Sequence, residues 1–532
     1  MKATGRIMAL VLAAFCLADT TSKAAAVNPF DDISGSFAKQ QITDLYIRGI
    51  VEGNGDRKFQ PKQPVTRSEF VKMLGKLIKI QPQTGTVPLF TDVSKQAWYY
   101  PWVQTAAELG LARGTGASSF SPNAPISRQE AAVMLVRILE GEQSGSKKLS
   151  YSDASKVADW AKPYVAEITR LKYMQGAEGK FRPADPLSRE ETAVVLDKLA
   201  VQADKSGQMS KVQPSIQLGW EYGGTDAEFQ QRVGRSGVAV NKLSPRWYYF
   251  DASGNFSDWT TASLVSWAHQ KGKQVWPLVG NRFNRELTHS MLATSANRTK
   301  MVNQLVGFVD KYKLDGLNLD FENVDPADRD NFTAFVKELA SALSSHQAKL
   351  SVDVPPDLGS DWSEPFDFAA LGKYADYVVL MGYDEHWTGG PEAGSVSSLP
   401  WLKNAIRELK ASIPAYKLIV AVPFLNRDWY MKDGTLTSTD LTLEEQQAVL
   451  KTKKPAIYWD ETTSQYVATY WEGSEKHTIW LEETRSFTKL YQMILAEGAS
   501  GIAYWHIGAE NDEMWTAIQN VIRTQNFRSL AR

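Results

Sequence analysis

Three copies of one short pattern, spaced 61 residues apart, limit what the first two hundred residues of this chain can become. Thr66-Arg67-Ser68-Glu69 returns as Ser127-Arg128-Gln129-Glu130 and again as Ser188-Arg189-Glu190-Glu191. Phe59, Phe120 and Phe181 keep the same step, each followed two residues later by Pro61, Pro122 or Pro183, and Asp32, Asp92 and Asp153 mark each opening. Such a period implies stacked copies of one supersecondary unit, each too small to bury its own apolar face. Thr or Ser followed three residues later by Glu is a capping box, in which hydroxyl and carboxylate satisfy otherwise orphan backbone donors. A helix follows, with Phe70, Val71, Leu74, Leu77 and Ile78 on one face. The arginines at 67, 128 and 189 are anomalous, because the helix macrodipole disfavours a cation in the first turn by about 0.3–1 kcal/mol. Two readings stand: a salt bridge to a neighbouring Asp, or an anionic ligand held by guanidinium forks at the grooves between repeats.

The pattern of Phe-x-Asp, Trp98 or Trp160, a turn glycine (Gly53, Gly114, Gly176), Phe-x-Pro and Thr-Arg-x-Glu resembles the S-layer homology domain, over all three repeats. The resemblance implies a mainly α module that binds an anionic, pyruvylated secondary polysaccharide of Gram-positive-type walls. It makes Arg67, Arg128, Arg189, Trp98, Trp160, Asp32, Asp92 and Asp153 the expected wall-binding residues. The first repeat lacks the Trp, and Ser replaces Thr in the second and third motifs.

Ahead of the repeats, Lys2 and Arg6 precede an apolar run over residues 7–18 and the small residues Ala24, Ala25 and Ala26. That is a secretory signal peptide over residues 1–26, too short to span a bilayer, which takes about 20 apolar residues. The expected location is therefore outside the membrane, non-covalently attached to the wall, with no transmembrane anchor. Cys16, the only cysteine, lies in this segment, so the remaining chain has no disulfide or cysteine metal site. A net charge of -1 gives no reason to expect nucleic acid as partner. The repeats are expected over 27–85, 86–146 and 147–201, with a Lys, Ser and Gln-rich linker over 202–213 and a monomeric chain.

From residue 214 to 532 short apolar runs alternate with helical patterns such as 301–312 and 331–343. Strands are expected near 216–219, 247–250, 274–278, 316–321, 350–354, 377–381, 418–423 and 501–505. Eight β/α units over about 320 residues predict a (β/α)8 barrel, an α/β fold whose active site sits at the carboxyl ends of the strands. Residues 425–500 exceed an ordinary connection and predict a small inserted α+β subdomain at about 430–482.

The segment Asp315-Gly316-Leu317-Asn318-Leu319-Asp320-Phe321-Glu322 carries the chemistry. With a strand period of two, Leu317, Leu319 and Phe321 face the helices while Asn318, Asp320 and Glu322 point into the barrel. Barrel interiors are normally apolar, so a wholly polar inward stripe is costly unless it has a task. Carboxylates two residues apart project from one wall, about 6–7 Å apart at Cβ. They cannot easily flank opposite faces of a sugar ring, as ordinary two-carboxylate hydrolysis requires. The nucleophile can instead be the substrate's own C2 N-acetyl group, with Asp320 steadying charge on its nitrogen and Glu322, raised in pKa by burial and its neighbour, protonating the leaving oxygen.

These residues resemble the Asp-Gly-x-Asp-x-Asp-x-Glu signature of glycoside hydrolase family 18, which implies substrate-assisted retention on an N-acetylglucosamine glycan. Met381-Gly382-Tyr383-Asp384 matches the family's sixth-strand motif, and the resemblance gives Tyr383 the acetamido oxygen. It makes Trp505 the floor of the subsite and Met381, Asp384, Arg427 and Trp429 further substrate contacts. Asn318 stands where chitinases of the family commonly have Asp. It looks more like the branch of spore-cortex and peptidoglycan N-acetylglucosaminidases, and is expected to donate a hydrogen bond to Asp320. The expected substrate is a β-1,4-linked N-acetylglucosamine glycan of peptidoglycan or chitin. A catalytically silent lectin on the same fold is the alternative, against which stand Asp320 and Glu322, since a lectin needs only aromatic platforms. No cofactor or metal is expected: His269, His289, His346, His386, His477 and His506 show no ligand spacing.

Overall fold

The computed structural model describes residues 28–139, 143, 148–206, 216–236 and 240–531. The expected signal peptide and residues 207–213 of the expected linker lie outside them. Each repeat folds as two helices: Lys39–Ile47 with Arg67–Leu77, Tyr100–Glu108 with Arg128–Leu139, and Lys162–Arg170 with Arg189–Ser206. The last of these overruns the expected linker start at 202, because no Gly or Pro interrupts good helix formers before Gly207. The capping box forms as expected: Glu69 N donates to Thr66 Oγ1 at 3.2 Å and Thr66 N to Glu69 Oε2 at 2.8 Å. Among the described residues no helix is long and apolar enough to cross a membrane.

The three repeats close into a ring rather than a row. Val65 N donates to Leu187 O, Leu187 N to Ile126 O, and Ile126 N back to Val65 O, at 2.9, 3.0 and 2.9 Å. All three side chains are buried at the centre.

This closure explains the arginines differently from the anion-binding expectation. Arg67 reaches into the second repeat, donating to Phe120 O (2.9 Å), Arg113 O (3.0 Å) and Glu130 Oε1 (2.8 Å). Arg128 does the same to Phe181 O, Gln175 O and Glu191 of the third. Arg189 closes the circle on Phe59 O and Glu52 O, with Glu69 3.7 Å away. Each guanidinium also lies over the phenylalanine ring whose carbonyl it holds. The forks are thus spent on the neighbouring repeat, and the partner is a Glu, not an Asp. The aspartates are likewise structural. Asp32, Asp92 and Asp153 each accept two consecutive backbone N–H groups, at residues 59–60, 120–121 and 181–182. The aromatics are different: Trp98 and Trp160 are 53% and 55% exposed. Phe37, in the repeat that lacks the Trp, is 68% exposed.

Beyond residue 215 a parallel sheet closes into a barrel of eight strands. They are Ile216–Glu221, a second interrupted at Pro245 into Lys242–Ser244 and Arg246–Tyr249, and a third interrupted at Trp276 and Pro277 into Gln274–Val275 and Leu278–Gly280. Then come Gly316–Asp320, Lys349–Val354, Tyr377–Met381, Leu418–Pro423 and Gly501–Ile507. The first strand pairs with both the eighth and the second, so no edge remains. The interruptions fall where prolines lack the N–H a ladder needs. Between the seventh and eighth strands the chain builds a five-stranded antiparallel sheet over 425–481 with one helix, Leu443–Lys453.

Ring and barrel share a continuous apolar core. Polar contacts reinforce it: Asn520 exchanges two hydrogen bonds of 2.7 Å with the backbone of Gln81, Arg523 donates to Lys79 O, and Arg528 to Arg137 O.

Candidate active site

The fourth strand alternates as its sequence requires. Leu317, Leu319 and Phe321 are buried in the outer core against helices, whereas Asn318 is enclosed in the barrel lumen. Asp320 and Glu322 follow at the carboxyl end, partly open to the cleft. Asn281, at the end of the third strand, brackets Glu322 by accepting from its backbone N–H (3.1 Å) and donating to its carbonyl (2.7 Å). Asn281 is itself buried and donates to Thr288 Oγ1 at 2.9 Å, so the acid's peptide unit is held from two sides.

Asn318 does not bond Asp320. Its amide donates to Ser351 Oγ (3.0 Å) and Asp353 Oδ1 (2.7 Å), and its carbonyl oxygen accepts from Trp220 Nε1 (2.7 Å). Asp353, from the fifth strand, is therefore a third inward carboxyl of the site that the sequence reading missed. The signal was there: Ser351 and Asp353 alternate inward in Leu350-Ser351-Val352-Asp353-Val354 by the same period of two.

Three carboxyls in one lumen cannot ionise together. Burial raises Asp320 to about 6, opposed by the positive Arg246. Burial, then Asp320 and Asp384, hold Glu322 well above the usual carboxylate range. Burial and then Asp320 do the same to Asp353, against the pull of the Asn318 amide. Of the three, Asp320 is raised least and gives up its proton most readily, while Glu322 and Asp353 hold theirs more tightly. Tyr383 is pushed far up by burial and then by Asp320 and Glu322, so its hydroxyl keeps its proton as a donor.

The expected cleft residues divide. Tyr383 stacks on Trp505 with centroids 6.2 Å apart, and Trp505 meets Trp220 and Tyr222 edge-on. A Cβ at position 382 would sit 2.5 Å from Ala421 O, so only glycine lets the sixth strand approach the seventh just before Tyr383. Met381 is buried in the strand. Asp384 is exposed and accepts from Arg427 Nη2 at 2.7 Å, while Arg427 Nη1 holds His386 O and Asp440 lies 3.2 Å from its Nε. Arg427 is buried, so it ties the sixth-strand loop to the insertion. Trp429 is only 2% exposed, with Nε1 donating to Gly394 O at 2.9 Å, which corrects its expected place as a substrate contact. Trp387, in the sixth-strand loop, is 49% exposed and is the aromatic that loop presents.

A hollow of about 350 Å³ lies beside the acids, lined by Glu221, Arg246, Tyr249, Trp259 and Arg282. Arg282 lies over the Tyr249 ring at 4.5 Å and over Trp259 at 5.3 Å.

Residues 246–510 match the family model for glycosyl hydrolases family 18, and residues 29–71, 89–132 and 150–193 match the S-layer homology domain. The chain is 28% identical over 291 residues to the uncharacterized glycosylase YvbX of Bacillus subtilis, across 53% of this chain and 84% of that one. It is 26% identical over 240 residues to the cortical fragment-lytic enzyme of Bacillus anthracis, across 44% of this chain and only 55% of that relative's length. In fold, it superposes on a chitinase from Chromobacterium violaceum with a TM-score of 0.53 at 24% identity, covering 57% of this chain and 98% of that one. The barrel with its fourth-strand acids is a glycoside hydrolase family 18 domain, and the chain joins it to three S-layer homology domains.

Proposed function

We propose that this glycoside hydrolase is a retaining, metal-independent enzyme that cleaves β-1,4-linked N-acetylglucosamine in wall glycans, peptidoglycan first and chitin second. The observation that carries the reading is the placement of Asp320 and Glu322 on one wall at the carboxyl end of the fourth strand, with Tyr383 stacked on Trp505 in the same cleft and Glu322 held well above the usual carboxylate range by burial and by Asp320. Glu322 gives its proton to the glycosidic oxygen as the C1–O bond breaks. The acetamido carbonyl oxygen of the same sugar, oriented by Tyr383, closes on C1. The resulting oxazolinium ring carries positive charge next to Asp320. Water, deprotonated by Glu322, then opens the ring on the face that the leaving group left, and configuration is retained. Asn318 and Asp353 stand behind Asp320 and keep its surroundings polar. Trp505 floors the sugar, and Trp387 extends the platform. Arg246 and Arg282 favour peptidoglycan, whose peptide stems carry carboxylates that chitin lacks.

The same reading attaches the exported enzyme to the wall through the grooves of its ring, where Phe37, Trp98 and Trp160 offer rings to an anionic, pyruvylated polysaccharide. The arginines hold those grooves in shape. Proton NMR of the first product from a chitin oligomer tests the mechanism: a β-anomer is expected, and an α-anomer refutes substrate assistance. Mass spectrometry of digests of purified peptidoglycan tests the substrate, with new reducing N-acetylglucosamine ends expected and new reducing muramic acid ends refuting the assignment.

A further inference from the structure

A cavity of about 860 Å³ separates the second repeat from the barrel, within the size range of ligand sites. Glu108, Arg113 and Arg137 come from the repeat side. The strand Ala456–Asp460 of the insertion and the helices Thr484–Ala496 and Asp512–Ala531 supply Tyr458, Trp459, Arg485, Lys489 and Arg528. Five cations thus line one cavity in a chain whose net charge is -1. Glu108 is the lone carboxyl among the described lining residues, and burial, then Glu483, pushes it up to about 8. Burial lowers Lys489, and the neighbouring Arg485 and Arg113 lower it further against the pull of Glu461.

The aromatic wall carries one donor with no acceptor among the described residues. Arg485 lies 3.5 Å and Lys489 5.2 Å from the centroid of Trp459, whose buried Nε1–H finds no acceptor among the described residues. Tyr458 leaves its ring 58% exposed, a face on which a sugar could stack. The cavity adjoins a groove of the ring: Arg113, Gly114 and Arg137 line both it and the smaller hollow that holds Arg67 and Trp160.

We propose that this interdomain cavity is a separate anion site, which takes a carboxylate- or phosphate-bearing segment of wall polysaccharide running on from the neighbouring groove. The occupant follows from the reading of the ring as wall-binding; the site itself stands on the five cations and on the shared wall with that groove. A strand seated there touches repeat and hydrolase at once, so binding at the wall is registered by both domains.

The test is calorimetric titration of the full chain at low salt with oligogalacturonate, with poly(glycerol phosphate) and with a neutral glucan of equal length. The anions should bind, the glucan should not, and the tighter of the two anions identifies the source of the charge. Lys489→Glu with Arg113→Glu should weaken that binding at least tenfold, and the milder Lys489→Gln about threefold, while hydrolysis of a neutral chitin oligomer is unchanged. Unaltered affinity in both variants overturns the site. So does loss of binding in Trp160→Ala with none in Lys489→Gln, which would put the anion in the ring's own groove and leave the wall-binding reading intact. Failure of the unmutated chain to bind either anion also overturns it.

Discussion

Arg67→Ala separates a clamp from a ligand-binding arginine. In the structure Arg67 is 3% exposed, and its guanidinium donates to the carbonyls of Phe120 and Arg113, pairs with Glu130 and lies over the Phe120 ring. Removing it strands the buried Phe120 carbonyl at about 1–3 kcal/mol and loses the part-exposed bond to the Arg113 carbonyl, about 0.5–1.5 kcal/mol. Loss of the cation–π contact adds about 0.5–2 kcal/mol. Glu130 is a quarter exposed, so its ion pair adds less than about 1 kcal/mol. The joint between the first two repeats should therefore weaken by about 2–7 kcal/mol, about thirtyfold or more in the opening equilibrium. Amide hydrogen exchange of the full chain reads this locally: the N–H groups of Val65, Ile126 and Leu187, which close the ring, should lose about thirtyfold or more of protection. Arg67→Lys should loosen the ring too, since an ammonium cannot span both carbonyls and Glu130. If protection is unchanged while sedimentation with purified walls is lost, Arg67 is a ligand group and the clamp is wrong.

Glu322→Gln should lower kcat by a factor of about 10²–10⁴ without altering the melting temperature; turnover like the parent's removes Glu322 as the acid. The pH profile follows from the signs of the shifts. Asp320 must be charged, and its rise to about 6 places the acid limb of kcat/KM near pH 6 instead of near 4. The alkaline limb falls as Glu322 loses its proton well above the usual carboxylate range, and activity undiminished at pH 4 contradicts this order. Asn318→Asp puts a carboxyl 2.7 Å from Asp353 in place of an amide donor, so a shared proton should distort the acid limb of kcat while KM stays within a few-fold. Superimposable kcat profiles would show that position 318 is electrostatically silent. Trp429→Ala should cost about 3–5 kcal/mol of stability as a core deletion, whereas Trp387→Ala should raise KM on long oligomers; the reverse pattern restores Trp429 to the cleft.

The barrel strands were legible because each is an apolar run bounded by turns, and the fourth strand's inward stripe followed from a period of two. The breaks at Pro245 and Pro277 were harder to see, since ladder hydrogen bonds depend on the register of neighbours. Asn318 was read correctly as inward, but its partner depends on which strand lies opposite, and the fifth strand brings Asp353 closer than its own neighbour Asp320. Trp429 and Trp387 sit in similar aromatic surroundings in the sequence. Only the fold of the insertion decides that one is enclosed and the other presented. The arginines were visible as an anomaly, and the motif even contained their answer, a Glu two residues on. That Glu is used by the preceding copy across a closed ring, which linear stacking did not suggest.

The docking of the terminal helix Asp512–Ala531 against the ring, through Asn520, Arg523 and Arg528, sets the reach of the enzyme. A hydrolase on a flexible tether sweeps a volume set by its linker and meets any bond within that radius. Here the cleft keeps one distance and one bearing from the anchoring grooves. On the proposed reading of a wall-seated enzyme acting on wall glycan, strands come to the cleft as wall material is laid down or turned over, and the seat of the ring sets which layer is trimmed.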